Sequence, residues 1–152
     1  MKARVAFHRN SIKYWLPVIL WMCLIFWMST ETFSSQNTSF LVEAVLRFLT
    51  PEISSEGIGL AHTLIRKFGH VIEYFILGLL LFRAFRGGST TSWKWRWSFL
   101  AAMVVLFYAA TDEFHQSFVP TRTASGVDVS IDTIGGILAQ CACALYHHHR
   151  KQ

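Results

Sequence analysis

Residues Tyr14 to Thr30 carry no charged side chain, and three further stretches share that property: Tyr74 to Phe82, Trp97 to Thr111 and Thr133 to Tyr146. Four such runs, each flanked by basic residues, leave a chain of 152 residues few ways to fold. In water they would need more buried surface than so small a domain can provide, whereas hydrocarbon accepts them directly. Crossing a bilayer takes about 20 helical residues at about 1.5 Å each. Only the first run approaches that length alone, so the other three must absorb ionisable neighbours. Counted outward from their basic ends, the helices are expected at about 13–30, 64–83, 96–116 and 127–147. A hydrophobic content of 53%, with 13 Phe and 6 Trp, fits a small membrane bundle.

Orientation follows from Lys and Arg. Lys2, Arg4, Arg9 and Lys13 precede the first run; Arg83, Arg86, Lys94 and Arg96 lie between the second and third; Arg150 and Lys151 follow the fourth. These ten of the fourteen basic residues mark the cytoplasmic side and place both termini there. All nine carboxylates (Glu31, Glu43, Glu52, Glu56, Glu73, Asp112, Glu113, Asp128 and Asp132) fall in outer loops or outer helix halves. The predicted architecture is all-α: a single domain over 1–152, built as a four-transmembrane-helix bundle. Its first outer loop holds a short amphipathic helix, because Phe40, Leu41, Ala44, Val45, Phe48 and Leu49 share a face opposite an i,i+4 pair of Glu43 and Arg47, and Pro51 ends it. The basic start resembles a signal peptide, but no Ala-x-Ala-like site follows Met28, and an uncleaved anchor is expected.

Several features point away from other classes. Cys23, Cys141 and Cys143 lie inside apolar runs and read as small packing residues, not as a disulfide framework. The net charge of +5 is not arranged as a groove-binding stripe, so no nucleic-acid partner is expected. His147, His148 and His149 beside Arg150, and Trp93, Trp95 and Trp97 beside Lys94, read as interfacial anchors in contact with membrane lipids.

The remaining polar residues lie where charge is costly. Lys67, His70 and Glu73 recur every three residues with Tyr74 one further; Asp112, His115 and Gln116 stand at i, i+3 and i+4; Asp128 and Asp132 are one turn apart above Gly135 and Gly136. Glu73 lies ten residues from Arg83, roughly 15 Å along a helix, and Asp112 and Asp132 roughly 22 Å from their inner ends. Each such charge costs about 2.5 to 3.5 kcal/mol at a helix centre unless it is paired, protonated or hydrated. These stripes are expected to face one another in an outward-facing polar pocket; their use as interhelical glue is the plainer alternative.

Three chemistries suit the pocket. His70 with Glu73, and Asp112 with His115, are His/carboxylate pairs of a kind that holds metals in helical bundles, but no HExxH or third His accompanies them, so neither metal nor cofactor is specified. Acid/base work would use Glu73 and His70, oriented by Asp112, His115 and Asp132. Binding would use Lys67 and Arg122 as clamps for the anionic group of a lipid or cell-wall precursor.

The order Lys67-x-x-His70-x-x-Glu73-Tyr74, Thr111-Asp112-Glu113-x-His115-Gln116-x-Phe118-Val119-Pro120-x-Arg122-x-x-Ser125 and Asp128-x-x-x-Asp132-Thr133-x-Gly135 resembles the VanZ-like family of small bacterial membrane proteins. Phe33-Ser34-Ser35-Gln36 is similar to the family's serine-containing outer segment, and Thr121 departs from a commoner Gly. The resemblance implies a multi-pass protein of the bacterial cytoplasmic membrane. Its site would comprise His70, Glu73, Asp112, His115 and Asp132, with Lys67, Tyr74, Glu113, Gln116, Arg122, Ser125 and Asp128 contacting a lipid-linked or acylated envelope ligand. Some members are associated with teicoplanin resistance. A non-enzymatic accessory protein, a small proton-linked transporter and a metal-dependent intramembrane hydrolase or transferase stay open, and so does the oligomeric state.

Overall fold

The computed structural model describes residues 2–30, 35–91, 93–119 and 125–149. They form five α-helices: α1 (Lys2–Met28), α2 (Ser35–Leu49), α3 (Ser55–Arg86), α4 (Trp95–Gln116) and α5 (Gly126–His149). Four stretches are long and apolar enough to cross a membrane: Ser11–Met28 of α1, and α3, α4 and α5 in full. Trp15, Leu20, Phe26, Phe99, Phe107, Ile134 and Leu145 are all exposed on them. A surface this apolar is untenable in water and ordinary against lipid tails.

Contacts fix the relative directions of the helices. α3 and α5 run parallel, since Lys67 meets Asp128 and Gln140 meets Gly78 at sequence offsets of 61 and 62. α1 and α4 also run parallel to each other, tied by Ser29 to Asp112 and by Met22 to Tyr108. α1 is antiparallel to α3, with Trp15 stacked on Phe85 near one end and the Trp21 indole donating to the Glu73 carbonyl farther along. Arg83, Arg86, Lys94 and Arg96 thereby lie at one end of the bundle. Asp112, Glu113, Asp128 and Asp132 lie towards the other.

α3 is longer than expected, starting at Ser55 and not near 64. Its start is set by capping and not by hydropathy: Ser54 is extended and its hydroxyl accepts from the Gly57 amide at 3.1 Å. Once capped there, the backbone satisfies itself through His62, Arg66 and Lys67, whose polar ends can reach the interface. α2 matches the amphipathic expectation, ending just before Pro51 with Arg47 2.8 Å from Glu43. Phe40, Leu41, Val45 and Phe48 are exposed on its other face.

The core is thin and small-residued between α3 and α5. A Cβ on Gly135 would lie 2.5 Å from the Val71 carbonyl oxygen, and one on Gly136 2.5 Å from Val105. Backbone approaches backbone there, which in lipid is how helices gain dispersion energy. Leu77, Leu81, Val105, Ala109 and Ala139 complete a seam that is fully buried. Gly135→Ala is therefore expected to destabilise the detergent-solubilised protein by about 1–3 kcal/mol. Gly69→Ala, where an added Cβ meets nothing within 4 Å, should be neutral or stabilising; comparing the two unfolding temperatures checks this.

Candidate functional site

Each polar stripe is carried by a different helix and closed by a different neighbour. On α3 and α5, Lys67 Nζ lies 3.4 Å from Asp128 Oδ1, and a guanidinium nitrogen of Arg66 lies 3.7 Å from Oδ2. One turn deeper, His70 Nδ1 approaches Asp132 Oδ1 to 3.2 Å. The ring N–H is not aligned on that oxygen, so the contact is an ion-pair distance without a hydrogen bond. Exposure falls along this path, from 35% at the Lys67 side chain through 17% at His70 to 1% at Asp132.

The α4 stripe faces α1 as much as α5. Asp112 Oδ2 accepts from Ser29 Oγ at 2.8 Å, from Gln116 Nε2 at 2.9 Å and from the Tyr74 hydroxyl at 3.4 Å. Gln116 Nε2 also reaches Ser29 Oγ at 3.3 Å, which closes a buried knot of α1, α3 and α4. His115 stacks on Phe26 of α1, with ring centroids 4.3 Å apart. Glu113 turns the other way, and its Oε2 accepts the Ser125 amide at 2.7 Å. Ser125 in turn caps α5, its hydroxyl accepting from the Val127 amide. Ser125 thus serves as a capping residue here, tying the start of α5 to the end of α4.

The two clusters communicate through charge. Asp112, Asp128 and Asp132 all lie within electrostatic reach of Glu113, and Asp112 within reach of Asp132. Glu73 departs from the expected stripe. Three-residue steps precess by about 60° each, so Glu73 is turned about 120° from Lys67 and its carbonyl meets Trp21 of α1. Its carboxylate stays within electrostatic reach of His70 and Tyr74. Lys67, read from the sequence as an anion clamp or as an interhelical partner, is paired with Asp128. Arg122 lies outside the described residues, as do Phe33 and Ser34 of the outer segment. Ser29 was not predicted; a hydroxyl just past Met28, at the end of the first uncharged run, was the available signal.

Among the described residues no three His, Cys, Asp or Glu side chains are grouped as a metal ion would require.

What the arrangement offers is a set of half-tethered acids. Asp112 and Glu113 each fix one oxygen and leave Oδ1 and Oε1 buried without a hydrogen-bond partner, as is His115 Nδ1, whereas Asp132 Oδ1 and His70 Nδ1 have only each other. The profile of the VanZ/LLP1 family matches residues 14–147, which takes in all five of these side chains and every helix of the bundle. The chain belongs to the VanZ/LLP1 family. No curated protein and no solved structure matches it. Membership in the VanZ/LLP1 family, together with four membrane-spanning helices, makes this a VanZ-like multi-pass membrane protein.

Removing one donor from a buried carboxylate is expensive, so Ser29→Ala is expected to cost about 1–3 kcal/mol of unfolding free energy. In a double-mutant cycle with Asp112→Ala, its effect should shrink by at least about 0.5 kcal/mol, because the two residues share one contact. Lys67→Met, removing a part-exposed pair, should cost no more than about 1 kcal/mol.

Proposed function

We propose that this VanZ-like protein sits in the bacterial cytoplasmic membrane with both termini inside, and that its outward-facing polar pocket binds or processes an amphiphilic envelope molecule. One observation carries the reading: Asp112 and Glu113 each keep a buried carboxylate oxygen without a hydrogen-bond partner, close to the buried His70–Asp132 pair. In hydrocarbon an unsatisfied polar group costs several kcal/mol, and a purely structural polar core would be selected to close such valences. Asp112 and Glu113 are instead each positioned by one oxygen and open at the other. Open carboxylate oxygens accept, so the complementary headgroup is one rich in hydroxyl or ammonium donors. The falling exposure from Lys67 to Asp132 supplies an approach from the outer surface, and the apolar flanks of α3 and α4 suit the tail.

The anionic-headgroup variant of this reading is weaker, because Arg66 and Lys67 already share Asp128. The association of some relatives with teicoplanin belongs to the same proposal: an acylated antibiotic acting outside the membrane would meet this face of the bundle.

The test is to purify the full chain from its membrane and identify co-purifying amphiphiles by native mass spectrometry. Wild type should retain one lipid class enriched over the bulk membrane, and Asp132→Asn should lose it while keeping its unfolding temperature within a few degrees. An identical lipid profile in both proteins would sink the proposal. In a teicoplanin-sensitive host, any gain in tolerance from the wild-type chain should vanish with Asp132→Asn.

A further inference from the structure

The opposite end of the bundle contains a second feature, unrelated to the acids. The last turns of α5 and the segment entering α4 flank an open groove of about 310 Å³, lined by Trp93, Ala144, Leu145, His147 and His148. The Trp93 indole donates to Ser98 Oγ at 3.1 Å, and the His147 ring lies 5.7 Å from Phe82 and 5.2 Å from Tyr146. Phe82 packs edge-on against Trp97 at 6.2 Å, and the Lys94 ammonium sits 5.3 Å over that same indole.

Among the described residues the charged side chains at this end are all basic. Lys94, Arg96, Arg83 and Arg86 flank the groove's end of the bundle, while the nearest carboxylate along α5 is Asp132, 15 residues or roughly 22 Å before His147. The floor, from Ala144, Leu145 and the Trp93 face, is apolar; the rim offers imidazole N–H groups. Successive residues on a helix point about 100° apart, so the three consecutive histidines fan out and do not converge on a metal ion. An apolar floor beneath a donor-lined, carboxylate-free rim fits one chemistry: a phosphate joined to a hydrocarbon chain.

We propose that this groove seats the phosphate headgroup and first acyl segment of an anionic phospholipid from the adjoining leaflet. The lipid pins the end of α5 to the start of α4 at a fixed depth, independently of the outer pocket.

Thermal unfolding of the full chain in detergent, titrated with phosphatidylglycerol or with phosphatidylcholine of the same acyl chains, tests this. Phosphatidylglycerol should stabilise at a concentration at least about fivefold lower than phosphatidylcholine. His148→Glu, which puts a carboxylate at the rim, and Ala144→Phe, which fills the floor, should each abolish that difference. If one substitution lowers the lipid-free unfolding temperature, the other decides. Equal potency of the two lipids overturns the proposal, and so does a phosphatidylglycerol preference that survives the deciding substitution, because the lipid would then sit elsewhere on the basic end. Stabilisation by inorganic phosphate equal to that by phosphatidylglycerol would also overturn it, since the acyl segment would then contribute nothing.

Discussion

How closely α3 can lie on α5 governs everything at the acidic end of the bundle. Lipid offers no hydrophobic reason for two helices to associate, so contact must come from packing and from polar groups that prefer each other to hydrocarbon. Gly135 and Gly78 remove the side chains that would hold the backbones apart, with Val71 and Ala139 pressed into the space. Gln140 then donates to the Gly78 carbonyl at 3.1 Å across the seam. That close, parallel contact fixes the register. With the seam set at an offset of 62, Asp128 and Asp132 have to fall opposite Lys67 and His70. A side chain at position 135 would separate the helices and disperse the acids with them.

The carboxylates brought together this way are not equivalent. Asp128 is in the first turn of α5, where the helix dipole favours a negative charge, and it has two cations near it at the most exposed level. Its role is met by ordinary electrostatics. Asp112 and Glu113 are buried and anchored, each by a single oxygen. Asp132 is buried deepest on α5 and has only a misaligned imidazole beside it. Concentrating negative charge in this way raises the free energy of the empty site and favours whatever brings donors or protons to it. Electrostatics alone does not distinguish between the two.

Much of this was legible in the sequence, and the unreadable part has identifiable causes. Four uncharged runs with basic flanks specify four spanning helices, because hydrocarbon imposes a length and a polarity that composition displays directly. The Glu43–Arg47 pair and the halt before Pro51 were equally readable, since both are local. The start of α3 was not, because apolar length was counted where a serine cap decided the matter. Periodicity showed which residues share a face, but not which helix that face meets. The sequence therefore predicts that the α4 stripe faces α3 and α5, whereas the structure turns Gln116 and His115 towards Ser29 and Phe26 of α1. Neighbours distant in sequence leave no periodic trace when a single serine is all they contribute.

That serine gives α1 a distinct place in the molecule. Only 11% of its spanning segment is buried, against 28% or more in the other three. Beyond the buried Val18 and Ile25 it is held by isolated contacts, among them Ser29 on Asp112, Trp21 on the Glu73 carbonyl, the Tyr108 hydroxyl on the Met22 carbonyl, and Arg83 over the Tyr14 ring. Polar contacts in lipid average only about 0.6 kcal/mol each, so α1 is the spanning helix most easily displaced. One of its few anchors is also a ligand of the deepest acid on α4. Any guest or proton that changes how strongly Asp112 binds Ser29 must therefore change how firmly α1 is seated, and by thermodynamic reciprocity the seating of α1 must change the affinity of Asp112 for that guest. A pocket closed by well-packed helices would have no such coupling. Here the least packed helix and the most buried carboxylate of α4 share a single hydrogen bond.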